Sequence, residues 1–391
     1  MKLFTRYIKH LIFISTVGYF LIFKFLHFVE EINPVKKELS DFRFTDIYFG
    51  HFKEQKKDND IILVDIEMKK NSITRGEVTS FIKHVNKKYK PRAIVVDLNY
   101  SRDSNVNDSI NVNLANALEN DNVLMPYSLK KIDGRWEQDK SEIPINYNLI
   151  DEGFTNNLVE KDKFGVMRFF KPILVQELDT MKHLSLLVSE KFGKPINESL
   201  KEDKKVMINF SYKYNEPINI LDTLNYSFCK DKIVIIGVFS KDKYGLPLYN
   251  DDIHYTSANK AYLGKSFPNM YGGEVLATII SNIKNNSFIK YVKDLSLYIN
   301  IILSLMMYYF LLFAKTVYHE LYGTIEIIIK FVVVTIFILV SIFFVSYSNL
   351  YIDLTTVGLV SFFAVEFVGP IDHAIDYLEE KIKTLISFKN A

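Results

Sequence analysis

Two kinds of apolar pattern alternate along the chain. Four stretches are continuous enough to cross a bilayer, which takes about 20 residues at helical rise. They are Leu11–Val29, Leu295–Ala314, Thr324–Ser346 and roughly Leu350–Ala374, the last interrupted by Asp353 and Glu366. The first follows Lys2, Arg6 and Lys9; its run is long and no small-x-small cleavage site follows, so an uncleaved anchor is expected. Basic flanks orient the spans. With the N-terminus in the cytoplasm, the inner side carries Lys2, Arg6, Lys9, Lys315, Lys381, Lys383 and Lys389, while the short outer loop Tyr347–Asp353 carries none. The expected organisation is an anchor over 1–29, an extracytoplasmic domain over 30–294, three transmembrane helices over 295–374 and a cytoplasmic tail over 375–391. That is a multi-pass protein of the inner membrane with both termini cytoplasmic.

Between the spans the pattern shortens. IILVDI (61–66), AIVVDL (93–98), NVLMPY (122–127) and KIVIIGVF (232–239) are the continuous, β-branched runs of strands buried on both faces. Between the first two, Val78, Phe81, Ile82 and Val85 recur at helical spacing on an otherwise charged segment. Strand, amphipathic helix and strand predict a βαβ unit, hence a neighbouring parallel pair with a right-handed crossover. A second helix is expected over Val112–Glu119, a third through Leu184–Val188, and a strand over Met207–Tyr212. The fold class is therefore α/β: a mixed sheet with βαβ units, helices on both faces, carried on a four-helix transmembrane region.

Composition narrows the function. Mean hydropathy is +0.05 although 24% of the residues are charged, because the two populations are segregated. Lys+Arg 48 against Asp+Glu 46 leaves a net charge of +2, which implies no nucleic-acid partner. The single cysteine, Cys229, excludes an intramolecular disulfide framework and a Cys-based zinc site. The eight histidines show no metal-ligand spacing, no G-x-S-x-G is present, and SKDKYG after Gly237 is too poor in glycine for a phosphate loop. No catalytic residue, metal site or cofactor is expected.

Eight segments, in order, carry a resemblance: VDIE (64–67), Arg75 opening the next helix, AIVVDLNY (93–100), GFTNNLVEKDKFGVMR (153–168), HLSLLVSEKFG (183–193), VMINFSYKYNEPINILDTLN (206–225), KDKIVIIGVFSKDKYG (230–245) and PNMYGGEVLATIISNI (268–283). Together they resemble the CHASE domain of type 2, a sensory extracellular domain associated with cyclases and histidine kinases. One span, the domain and three further spans match that family's arrangement. Two departures are visible: the tract before Arg75 lacks tryptophans and prolines the family often has, and Leu276 stands where it commonly shows a histidine. The resemblance implies a membrane sensor that binds an extracytoplasmic ligand or partner. Relatives usually continue into an output domain, whereas His373–Ala391 is shorter than the ~50 residues a domain needs. A separate cytoplasmic effector is therefore expected, and a homo-oligomer is compatible. The alternative is a non-enzymatic membrane scaffold subunit of a multiprotein complex; a transporter would need broken-helix repeats, which are absent.

Asp65 and Asp97 hold matched positions near the C-terminal ends of two strands, the edge where ligands sit in open α/β sheets. Two carboxylates there can hold a cation or a cationic ligand, or can cap the following turns. Glu67 and Arg75 belong to the same neighbourhood, as a ligand clamp or as an ion pair holding the loop. Gly272–Gly273 is expected to turn the chain into a helix N-terminus with Glu274 in its first turn, and Arg168 is expected to be structural. Within the membrane, Lys24, Asn300, Lys330 and Glu366 are polar exceptions. Lys330 and Glu366 each lie about six residues, roughly 9–10 Å, from the inner face and are expected to pair and couple movement across the membrane. Ile375, Leu378, Ile382 and Leu385 form a narrow apolar seam in the tail, suited to a partner helix or to the membrane surface.

Overall fold

The β-branched runs that read as buried strands become strands because each hides side chains on both faces of one sheet. The computed structural model describes residues 43–66, 75–98, 100, 108–141, 151–156, 165–177, 179–221, 225–242, 246–248, 252–259, 268–318, 322–354, 373–378 and 380–381. The expected anchor Leu11–Val29 with Lys24, most of the fourth span with Glu366, Glu67, and the tail beyond Lys381 lie outside these residues, as does the side chain of Lys330. The chain divides into two units, residues 46–290 and residues 1–45 with 291–391.

The first unit is built on strands β1 (Ile61–Asp65), β2 (Ala93–Val96), β3 (Val123–Ile132), β4 (Arg135–Asp139), β5 (Asp151–Phe154), β6 (Ile173–Gln176), β7 (Asp179–Lys182), β8 (Ile218–Asn219) and β9 (Ile233–Gly237). Its longer helices are α1 (Arg75–Lys88), α2 (Asp108–Leu118), α3 (Leu184–Lys191) and α4 (Gly272–Asn285). The main sheet runs β8-β1-β9-β2-β3-β4, with β5 also pairing β3. Every pairing in it is parallel except the β3–β4 hairpin. β6 and β7 form a separate hairpin.

Here the structure corrects one expectation. β1 and β2 flank α1 in sequence but are not neighbours, because β9 lies between them, with Ile233 opposite both Ile61 and Ala93. All five residues of β9 are buried, so the most continuously apolar strand occupies the centre. Side-chain alternation then assigns the faces. Ile62, Val64, Ile94, Val96, Val234 and Ile236 pack on α1 and α2 through Val78, Phe81, Ile82, Val85, Leu114 and Leu118. Ile61, Leu63, Ala93, Val95, Ile233 and Ile235 pack on α3 and α4 through Leu184, Val188, Leu276, Ala277 and Ile280. Leu276, at the position where the histidine was absent, is a core residue of α4.

Two other expectations change for local reasons. The expected strand over Met207–Tyr212 is split into Val206–Met207 and Tyr212–Lys213. Between them, Asn282 of α4 takes over the backbone of Asn209: its Oδ1 accepts from the Asn209 N–H at 2.7 Å, and its Nδ2 donates to the Asn209 carbonyl at 2.9 Å. β3 runs five residues past the predicted buried strand, because its exposed end pairs with β4 across a turn at Asp133 and Gly134, whose φ angles of 47° and 86° are those of a tight hairpin. α3 is capped by His183, whose Nδ1 accepts from the Ser185 N–H at 3.2 Å, and burial pushes that imidazole down to about 3. The cap is neutral throughout the neutral pH range.

In the second unit, α5 (Lys293–Val317) and α6 (Tyr322–Ser348) contain stretches long and apolar enough to cross a membrane, Asp294–Val317 and Phe331–Ser348. The four-helix region is thus described for two helices. The expected fourth span does not begin at Leu350, since Leu350–Tyr351 is extended. Asp353 is no interruption of a span: its carboxylate pairs with Arg43, its N–H donates to Ser296 Oγ at 3.0 Å, and its carbonyl accepts from Asn300 Nδ2 at 2.6 Å.

Arg168 is structural, as the sequence implied. Its Nε and Nη2 donate to the two oxygens of Asp46 at 2.9 and 2.6 Å, and both side chains are buried. A buried ion pair is costly to break from one side only. Arg168→Met is expected to destabilise the domain by about 3–5 kcal/mol, with most of the loss recovered in the Asp46→Leu/Arg168→Met double variant. Thermal unfolding of the three proteins checks this; a neutral single variant would show that the pair does not hold residue 46 to the domain.

Candidate functional site

At the C-terminal edge of the sheet, β1, β9 and β2 end together. Gly237 is opposite Asp65, and the Asp97 N–H continues the ladder to the Ile236 carbonyl at 2.8 Å. Asp65, Gly237 and Asp97 therefore form a row facing the α3/α4 layer. The two aspartates stand two strand spacings apart, about 10 Å. They share an edge and a face. Among the described residues no group of three or more His, Cys, Asp or Glu is placed to hold a metal ion.

The two carboxylates have different environments. Both oxygens of Asp65 serve the turn that follows β9: Oδ1 accepts from the Phe239 N–H at 3.0 Å and Oδ2 from Ser240 Oγ at 2.6 Å. Tyr271 closes the same turn by donating its hydroxyl to the Ser240 carbonyl at 2.7 Å. This is the capping role. The Asp97 carboxyl has no hydrogen-bond donor among the described residues. Its side chain lies beside Gly237 and Gly273, which the Phe239 ring also approaches, at the first turn of α4. Burial, and then the charge of Asp252, push it up to about 8.

The sequence of α4 explains how acids come so close to its start. A Cβ on Gly272 would overlap the Asp252 carboxylate, and one on Gly273 would stand 2.8 Å from the Phe239 ring and 3.1 Å from Asp97 Oδ2. The glycine pair thus makes room for two carboxyl groups at one helical turn. Asp252 itself has a left-handed backbone (φ 51°), its carbonyl accepts from the Gly272 N–H at 2.8 Å, and its Oδ1 lies 3.2 Å from His254 Nε2. Glu274 caps the helix by accepting from the Tyr271 N–H at 2.9 Å and pairs with Lys241 at 2.6 Å.

Arg75, the other described candidate, opens α1 on the opposite layer. It donates to Asn111 Oδ1 at 2.7 Å and its guanidinium stands 5.7 Å from the Tyr100 ring centre. It anchors α1 to α2 and Tyr100. Sequence reasoning missed Phe239, Ser240, Tyr271 and Asp252. The last sits in a polar stretch without periodicity, and only the Gly-Gly pair signalled that something must approach the helix start.

These features define a class: a three-layer α/β domain whose sheet edge is built from aspartates and a glycine-opened helix start, in a chain that also carries apolar helices of membrane length. The CHASE2 domain family matches residues 20–310, most of the chain, and the chain belongs to it. CHASE2 is a family of sensory domains associated with signal transduction. No curated protein and no solved structure matches the chain.

If Asp65 caps the turn, Asp65→Ala leaves a buried N–H and a hydroxyl without their acceptor and is expected to cost about 1–3 kcal/mol. Asp65→Asn keeps one acceptor oxygen and is expected to cost less. Unfolding midpoints decide; an unperturbed Asp65→Ala would remove the capping role.

Proposed function

We propose that this protein is a multi-pass membrane sensor whose residues 30–294 face the outside and whose termini are cytoplasmic. The observation that carries the reading is the place of α4 in a CHASE2 chain. Its first turn forms the wall of the acidic edge, and its last turn leads through residues 286–292 into the apolar helix α5. A change at the edge can therefore be passed on as a displacement of one helix that is covalently continuous with a membrane-length helix. Such a mechanism requires two states of α4, each favoured by a different occupancy of the edge.

In this reading the chain performs no reaction of its own. Its partners are the bilayer, an extracytoplasmic stimulus at the β1–β9–β2 edge, and a cytoplasmic effector, with a second copy of the chain as a compatible companion. Lys330 and Glu366 remain the intramembrane pair proposed from sequence depth. The topology is tested by compartment-specific reporters fused at Asn107 and at Ala391. Opposite compartments are expected, with Asn107 outside. A reporter at Ala391 that is active only outside the cytoplasm would overturn the four-span arrangement.

A further inference from the structure

We propose that Asp97 is a proton-operated switch: its neutral carboxyl lets α4 start between Gly237, Phe239 and Asp252, and its ionisation drives that start open. This rests on the sensor reading above and deepens it by naming the proton as a stimulus.

Charged and polar groups line the edge around Asp97 from several segments. From β1 comes Asp65, whose two oxygens are occupied by Phe239 and Ser240. From the turn after β9 comes Lys241, held by Glu274 of α4. From the segment before α4 come Asp252 and His254, hydrogen-bonded to each other, and Tyr271, whose hydroxyl is committed to Ser240. Lys241 is thus already engaged, and no donor among the described residues reaches the Asp97 carboxyl. The positive end of α4 favours a nearby anion, but Glu274 and Asp252 already stand there. A further negative charge would sit beside Asp252 against an aromatic ring, in a space that exists only because residues 272 and 273 are glycine. This setting favours the neutral form of Asp97 over the ionised one.

The same geometry sets the direction of the pH effect. Burial and the Asp252 charge push the carboxyl up to about 8, far above the ordinary value of about 3.9 for aspartate. The folded domain then binds a proton that the unfolded chain has released, so stability contributed by this group falls as pH rises from about 4 to about 8. Below about 4 the group is protonated in both states and adds no further slope. The window spans the range an extracytoplasmic domain meets, and the group under stress touches the helix that precedes α5.

The test uses the full-length protein in lipid nanodiscs. Infrared titration is expected to show a protonated-carboxyl band lost with a midpoint near pH 8 in the wild type and missing in Asp97→Asn. Asp252→Asn, which removes the neighbouring charge, is expected to move that midpoint to lower pH. Amide exchange at residues 272–276, compared with Asp97→Asn at the same pH, is expected to rise only above the midpoint. The thermal midpoint is expected to fall between pH 5 and 8.5 in the wild type more steeply than in Asp97→Asn. Should Asp97→Asn fail to fold, the wild-type and Asp252→Asn titrations still decide. A carboxyl at position 97 that titrates near 4, or a wild-type pH slope retained in Asp97→Asn, overturns the switch. Either result leaves the membrane topology standing, because the reporter fusions measure that independently.

Discussion

The insertion of β9 between β1 and β2 is the constraint from which the rest of this domain follows. Ile233 pairs with Ile61 across 172 positions and with Ala93 across 140. Until those pairings form, β1 and β2 are strands of one sheet with the middle strand missing, and the inward faces of α1 and α4 have only part of their partner surface. The βαβ segment that looks self-sufficient in sequence is therefore incomplete without chain contributed far downstream. Closing such long loops carries an entropic cost that local helices do not have, and parallel pairings of this separation form late. The reward is a central strand buried on both faces, at about 1.5–3 kcal/mol for each large aliphatic side chain hidden.

Where β9 ends determines the chemistry of the edge. Gly237 places no side chain between Asp65 and Asp97, so the Phe239 ring folds back into that space and meets the glycine pair of α4. The two ends of α4 are then unequal. At its C-terminal end, Lys284 reaches Asp58 Oδ1 at 2.5 Å and Asp60 Oδ2 at 2.9 Å, Ser281 donates to Asp58 at 2.7 Å, and Lys232 joins Asp60 at 3.0 Å. Hydrogen bonding from Lys284 holds the Asp60 carboxyl below its usual range, the mark of a carboxylate whose charge is satisfied. A lysine near the end of the helix also complements the helix dipole. At the N-terminal end, Asp97 brings a carboxyl without a donor among the described residues. One end of α4 is pinned by an ionic network, and in the proposed switch the protonation of Asp97 at the other end would make the helix a lever pivoting at the pinned end.

The sequence carried the elements more faithfully than their arrangement. Ile61–Asp65, Ala93–Val96 and Ile233–Gly237 were legible as buried strands because burial on both faces leaves no polar alternation, and the 3.6-residue spacing of Val78, Phe81, Ile82 and Val85 marked α1. Asp65 and Asp97 were legible as edge residues for the same reason, being the first polar positions after those runs. Strand order was not legible, since nothing local in IVIIG distinguishes a central strand from a terminal one. The extended end of β3 was missed because its stability comes from pairing with β4 and not from burial. The break at Asn209 was invisible because its cause, Asn282, lies 73 residues away. Asp252 was passed over because its significance comes from the space that glycine leaves, which a one-dimensional pattern does not record.

The second unit obeys the same rule that polar groups near apolar surroundings must find partners. Asp353 read as a charge inside a span, which would be costly in hydrocarbon. Its partners show another arrangement. Ser296 and Asn300, one turn apart on α5, bond its backbone, and Arg43 takes its carboxylate, so the polar groups form one closed cluster at the head of α5. Asn300, a polar exception by sequence, is thereby explained: its amide also donates to the Ser296 carbonyl at 2.7 Å. In a membrane-spanning α5, a cluster of this polarity would belong at the interface and mark where the hydrocarbon begins along the helix. From Ile301 to Val317 the helix is then about 25 Å long at 1.5 Å per residue, within the range a tilted or slightly thinned bilayer accommodates. Lys315 falls at the far end of that length, where its stem can lie along apolar surface and its ammonium reach the opposite interface. If α5 spans the bilayer as proposed, the Asp353 cluster at its start and Lys315 at its end would together set its register. In the proposed sensor, a helix held in register this way would pass on rotation or tilt imposed at its first turn more readily than it would slide along the membrane normal.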